Sequence, residues 1–391
     1  MSTLFGSAAS SSPANSTQGD ISKDVQVKDP PEDSISDLAF SPVSDHLAVA
    51  SWDKKVRIYE IDQQGNSQGK ALFDHEGPVL SCCWSKDGTK VVGGGADKAA
   101  RMLDLGAGGT TAQQVAVHDQ SIRCVEMIQV QGTHMLVTGS WDKTVKYWDL
   151  RQAQPAATLQ VQERVYAMSV RDQLLVIGTA DRYINMVNLN EPTKMYKTMQ
   201  SPLKYQTRVV SCFTDATGFA VGSIEGRCAI QYVEEKDTRS VYNPNRNTSQ
   251  RKPMFGGVGG HATGTNIATD SSNFSFKCHR VPVPGQRDVA NVYSVNAISF
   301  HPQHGTFSTA GSDGTFHFWD KDAKHRLKGY PEVGGSISAT EFNRTGNIFA
   351  YAVSYDWSKG YAHNSPQLPN KIMLHPVVGD ECKPRPGGKK R

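Results

Sequence analysis

One phrase recurs along this chain and limits what it can fold into. It is an apolar and small run, then Gly or Ser, then an acidic residue, then alternating apolar residues that end near Trp or Tyr. It reads AVASWDKKVRIYE at 48–60, VGGGADKAARMLD at 92–104, VTGSWDKTVKYWD at 137–149 and VIGTADRYINMVN at 176–188. It continues as AVGSIEGRCAIQY at 220–232, STAGSDGTFHFWD at 308–320 and, in degenerate form, AYAVSYDWSKGYA at 350–362. The acidic positions are Asp53, Asp97, Asp142, Asp181, Glu225, Asp313 and Asp356, separated by 44, 45, 39, 44, 88 and 43 residues. Self-similarity at such a period means that small supersecondary units are stacked, each burying a face that it cannot bury alone.

A period of about 40–45 residues with a Trp-Asp ending is the signature of the WD40 β-propeller. The spacing predicts an all-β chain with seven blades. The separation of 88 would accommodate an eighth, but residues 234–272 hold six large apolar side chains in 39 positions and include the tracts NPNRNTSQRKP and GGVGG. This composition reads as a loop insertion within blade five, whose outer strand then arrives late as FSFKCHR at 274–280. In blade three, four strands fall at 122–128, 135–140, 144–149 and 156–160. Blade seven supplies three, at 337–342, 348–353 and 371–376. The alternating DVQVK at 24–28 is expected to fill the vacant outer position and close the ring, leaving no open edge. The domain reading is a disordered arm over 1–20, a propeller over 21–378 and a basic, disordered tail over 379–391.

Composition narrows the class. Basic and acidic side chains number 42 and 38, a net charge of +4 that does not by itself announce nucleic acid. The longest apolar run, Ile348 to Val353, is six residues, far below the roughly 20 of a spanning helix. Met1 to Gln18 has neither Lys nor Arg and no apolar core, so it reads as neither a secretory signal nor a presequence. Seven cysteines without a C-x-x-C pair indicate neither a disulfide framework nor a zinc ribbon. The expected compartment is cytosol or nucleus, with no membrane partner.

Candidate chemistry is thin. His118, a hydroxyl from Thr138 or Ser140, Asp142 and Trp148 could be mistaken for a catalytic triad, but the set recurs in decayed form in other blades and reads as a structural hydrogen-bond network. His75 and Asp97 persist in blade two, where Leu103 replaces the Trp, and blade six keeps Asp313 and Trp319. His301 and His304 lack further metal ligands nearby, GGVGG lacks the context of a phosphate loop, and the Cys82–Cys83 pair reads as buried hydrophobe. No enzyme, no cofactor and no metal are expected.

Function must then lie in exposed groups. The insertion carries Arg239, Arg246, Arg251 and Lys252. The strand FSFKCHR interleaves Phe274 and Phe276 with Lys277, His279 and Arg280, and Trp319 is followed by Lys321, Lys324, Arg326 and Lys328. Aromatic and basic surface suits single-stranded nucleic acid or an acidic peptide.

The phrases SIEGRCAIQY, NFSFKCHR, YSVNAISFHPQHGTFSTAGSDGTFHFWDKDA and GNIFAYAVSYDWSKG carry a resemblance. From about Asp33 to Pro376 the chain resembles the RAE-one/Gle-two type of WD40 nucleoporin, the mRNA export factor family. The Bub-three mitotic-checkpoint propeller is similar in architecture without sharing FSFKCHR and SYDWSKG in this form. A ubiquitin-ligase substrate receptor is the other alternative. The resemblance implies a nuclear-pore adaptor for poly(A) mRNA export that shuttles to the cytoplasm. It implies a monomer that pairs with a GLEBS segment of an FG-repeat nucleoporin and contacts single-stranded RNA or the mRNP. By motif match, one groove for peptide and RNA would use Arg227, Phe276, Trp319, Lys321, Lys324 and Arg326. Phe276 is expected to be the freer of the two aromatics.

Overall fold

The computed structural model describes residues 17–62, 64–130, 132–234 and 272–384. The expected insertion, with its four basic residues, falls almost wholly outside these, as do 1–16 and the end of the basic tail. Among the described residues there are seven four-stranded antiparallel sheets and one two-stranded ribbon. Among these residues there is no α-helix, only the single 3-10 turns Ala180–Arg182 and Tyr361–His363. Among them, no helix is long and apolar enough to cross a membrane.

Each sheet is one blade. The innermost strands are Ile35–Phe40, Val79–Trp84, Ile122–Val130, Val165–Arg171, Thr207–Cys212, Val295–Phe300 and Ile337–Phe342. Blade five runs on through Gly218–Ser223 and Arg227–Tyr232 to Phe274–Lys277, so its outer strand follows the insertion as the sequence predicts. That strand ends at Lys277 rather than at residue 280. His279 takes a positive φ of 47° and turns the chain into the ribbon Arg280–Pro282/Ala290–Val292.

Blade seven closes with Val25–Gln26, where Val25 pairs with Leu374 and Gln26 with Met373. The closure is reinforced by burial. Asp24 accepts from the Tyr351 hydroxyl at 2.6 Å and pairs with His375 Nδ1 at 2.6 Å, while His375 Nε2 meets Glu381 at 3.3 Å. Burial alone would lower the pKa of His375, but the two carboxylates raise it to about 9.

Apolar side chains from adjoining blades fill each interface. Val137 and Tyr147 of blade three pack with Met168 and Leu175 of blade four, and Phe316 and Phe318 of blade six with Phe342 and Phe349 of blade seven. Such side chains contribute roughly 1.5–3 kcal/mol each when fully buried. An innermost strand also has an unpaired edge along the central channel, and side chains of the preceding blade satisfy it. Glu341 accepts from the Phe40 N–H at 2.5 Å, Asp37 from Cys82, Ser169 from Cys212 and Ser299 from Phe342.

The polar sets placed by sequence are networks inside blades. In blade three, Trp148 Nε1–H donates to Thr138 Oγ1 at 2.8 Å, the hydroxyl meets His118 Nε2 at 2.7 Å, and His118 Nδ1 meets Asp142 at 2.8 Å. Thr138, not Ser140, is the hydroxyl. In blade two Gly93 stands at the hydroxyl position, so His75 keeps Asp97 at 3.1 Å and its Nε2 has no partner.

Candidate functional surfaces

The first strand of every blade carries a β-bulge near its start, and the extra residue is turned onto the channel wall. These residues are Ser36, Leu80, Arg123, Tyr166, Arg208, Asn296 and Ser338. All seven line the central cavity, about 800 Å³ in volume. Arg123 donates to the Leu80 carbonyl at 2.9 Å and Arg208 to the Asp356 carbonyl at 3.2 Å. Neither guanidinium forms an ion pair with a carboxylate among the described residues. The Asp356 carboxylate is spent on Asn296 Nδ2, the Ser312 hydroxyl and the Ser358 N–H. Burial, and then the nearby charge of Arg123, lower the pKa of Arg208.

Aromatic side chains stand at this mouth. Trp52 stacks on Trp357 with centroids 4.0 Å apart, Trp141 is 39% exposed, and Tyr166 and Tyr355 line the same opening. Trp357 Nε1–H and the Ser338 hydroxyl are buried without a partner. Deeper in the channel, burial raises the pKa of Glu126 to about 8, and those of Asp37 and Glu341 rise for the same cause, with the charge of Arg123 opposing the rise at Asp37.

Arg227 opens a second cationic place on the same face. As the first residue of its strand it pairs in register with Lys277, and both line a hollow of about 410 Å³ with Lys204, Tyr205, Glu225 and Arg280. Arg227 Nε lies 3.8 Å from Glu225 Oε2, and Glu225 Oε1 is buried without a partner.

Strand alternation puts Arg227 on the opposite side of blade five from the other predicted residues. Cys228 and Ile230, with Phe274 and Phe276, face blade six, whereas Ala229 packs toward blade four. The single groove of the sequence reading is therefore two surfaces. Phe276 packs against Trp319 at 4.5 Å between centroids, and both are half-buried. Trp319 Nε1–H donates to Thr309 Oγ1 at 2.9 Å, within a complete network in which His279 meets Thr309 at 2.9 Å and Asp313 at 2.8 Å. His279 is thus a buried network residue and not part of the basic surface.

Lys321 is only 8% exposed. Its Nζ meets Asp322 at 2.8 Å and lies over the rings of Phe213 and Tyr232. Burial would lower its pKa, but the bond to Asp322 raises it. Lys324 and Arg326 are exposed; Lys324 Nζ stands 5.3 Å above the Phe274 ring, and Arg326 pairs in register with Trp319. Phe274, Phe276, Trp319, Lys324 and Arg326 thus lie along one seam between blades five and six.

His279, Asp313 and His317 bring possible ligand atoms within 4.8 Å of one another, but both ring nitrogens of His279 are spent inside the blade. His301 and His304 stack at 4.4 Å, and burial lowers the pKa of His301 to about 4.

The channel-mouth arginines escape sequence reading because a lone Arg in an apolar strand does not reveal a bulge. Their signal is that IRCVE and TRVVS share a position in two repeats.

A family model for the WD domain, G-beta repeat, matches residues 23–60, 66–104, 109–149 and 287–320. The mRNA export factor GLE2 of Chaetomium thermophilum is 62% identical over the full length of both chains. The Poly(A)+ RNA export protein of Schizosaccharomyces pombe is 56% identical over 98% of each. Protein Rae1 of Drosophila melanogaster is 42% identical over 93% of this chain and 96% of its own. The chain therefore belongs to the Rae1/Gle2 family of WD40-repeat mRNA export factors.

Proposed function

We propose that this propeller is a non-enzymatic adaptor of poly(A) mRNA export, working in the nucleus and at the nuclear pore and shuttling to the cytoplasm. It docks a GLEBS segment of an FG-repeat nucleoporin across the face that bears the channel mouth. It meets RNA in the cleft between blades five and six. The supporting observation is the pair of guanidinium groups, Arg123 and Arg208, held in one aromatic-rimmed opening with no ion pair to a carboxylate among the described residues. Like charges placed together favour an anionic occupant, and the Arg227–Lys277 hollow extends the same charge along that face. Acidic side chains of the segment would pair with both. In the lateral cleft, Phe276 and Trp319 offer ring edges to a base while Lys324 and Arg326 reach phosphates. Lys321 acts by holding this wall together.

The test is titration of a GLEBS peptide and, separately, of oligo(A) into the purified chain at two salt concentrations. Binding of both, with oligo(A) the more salt-sensitive, is expected. Failure of the peptide to bind would remove the docking reading, and co-purification with a cullin adaptor instead would favour a ligase receptor.

A further inference from the structure

The ribbon Arg280–Pro282/Ala290–Val292 stands between blades five and six and belongs to neither. Isolated two-stranded ribbons are marginal in water, and this one exposes apolar side chains on both faces. Val281 and Val289 are 45% and 46% exposed on one, and Val292 is 44% exposed on the other. Its two edges differ. The Val283 N–H donates to the Val289 carbonyl and the Tyr293 N–H to the His279 carbonyl, so 289, 291 and 293 turn inward. By alternation, Ala290 and Val292 turn their backbone groups outward, where no strand pairs with them. The opposite edge is blunted by Pro282, which has no N–H. One edge is thus protected and the other left open. At its base, Arg280 donates to the Glu225 and Gly226 carbonyls and forms part of the cationic hollow.

We infer that the Ala290–Val292 edge is a docking edge, on which an extended acidic and apolar segment of the partner protein adds as a third strand. Main-chain hydrogen bonds hold such a strand, and alternate side chains give it selectivity. Here its apolar residues cover the valines, while its carboxylates face Arg280, which stands across the ribbon from Val292 and lines the cationic hollow with Lys277 and Arg227. This rests on the nucleoporin-docking reading and adds the element that receives the segment.

The experiment is hydrogen exchange of the whole chain with and without a saturating synthetic GLEBS peptide, with parallel titrations of Ala290→Pro. That substitution removes an outward N–H and leaves the pairing within the ribbon intact. The amides of Ala290 and Val292 should exchange about tenfold more slowly or better in the complex, and Ala290→Pro should weaken binding by about tenfold. Peptide binding that leaves both amides exchanging as in the free chain overturns the inference while keeping the docking reading. So does equal affinity of a folded Ala290→Pro variant. No binding to the wild type overturns both.

Discussion

Phe276 lies against Trp319 with ring centroids 4.5 Å apart, and the same Trp319 donates its indole N–H to Thr309 within blade six. The lateral cleft is therefore built on the blade's own framework. Phe276→Ala should lower stability by about 1–3 kcal/mol, less than a fully buried Phe would cost. Denaturant unfolding checks it, and an unchanged midpoint would show the ring to be dispensable. The sequence reading expects Phe276 to be the freer of the two aromatics; its packing on Trp319 is why its removal costs stability.

Asp142→Ala removes a carboxylate that burial would protonate but the Thr144 hydroxyl and His118 keep ionised. It leaves His118 Nδ1 without its carboxylate partner, with only the Thr144 hydroxyl at 3.1 Å. A loss of about 1–3 kcal/mol follows, measured as a shift in denaturant midpoint. The corresponding loss for Asp97→Ala should be smaller, because His75 lacks the Thr and Trp of the blade-three network.

The blade-seven closure should show in the pH dependence of stability. The pKa of His375 is raised from 6.5 to about 9, so its contribution is complete below pH 6.5 and is lost as pH rises through 9. Asp24→Ala should cost about 3–5 kcal/mol at neutral pH and flatten that alkaline decline. Thermal melts of both proteins from pH 6 to 10 decide it.

Much of this architecture is legible because a repeat states it many times. Seven acidic turn positions mark seven blades, and DVQVK alternates as an outer strand must. His279 was not legible as the blade-six network residue, because the ribbon over 280–292 puts it 34 residues before Asp313, against 24 between His118 and Asp142. Nor was the division of the groove: Arg227 and Phe276 are close in the sheet but face different blades. The Arg123–Arg208 pair depends on bulges, which leave no compositional trace. The ribbon is hidden because VPVPGQRDVANV looks like linker.

Glu126 gives a second decline of the same sign, at lower pH and within the channel. Burial raises its carboxyl from 4.5 to about 8, so the folded chain retains a proton that the unfolded chain releases. Stability should fall as pH rises from about 4.5 to 8. Glu126→Gln should lose that decline and be the more stable protein at pH 8.5, as read by denaturant unfolding at several pH values.

The most direct measurement of the two-surface account is a double dissociation by isothermal titration. Arg208→Gln with Arg227→Gln should weaken GLEBS-peptide binding by about tenfold or more and leave oligo(A) binding within about twofold. Lys324→Glu with Arg326→Glu should do the reverse, with a shallower salt dependence for the residual oligo(A) binding. If either pair weakens both ligands equally, or neither, the assignment of peptide to the channel-mouth face and RNA to the lateral cleft is contradicted.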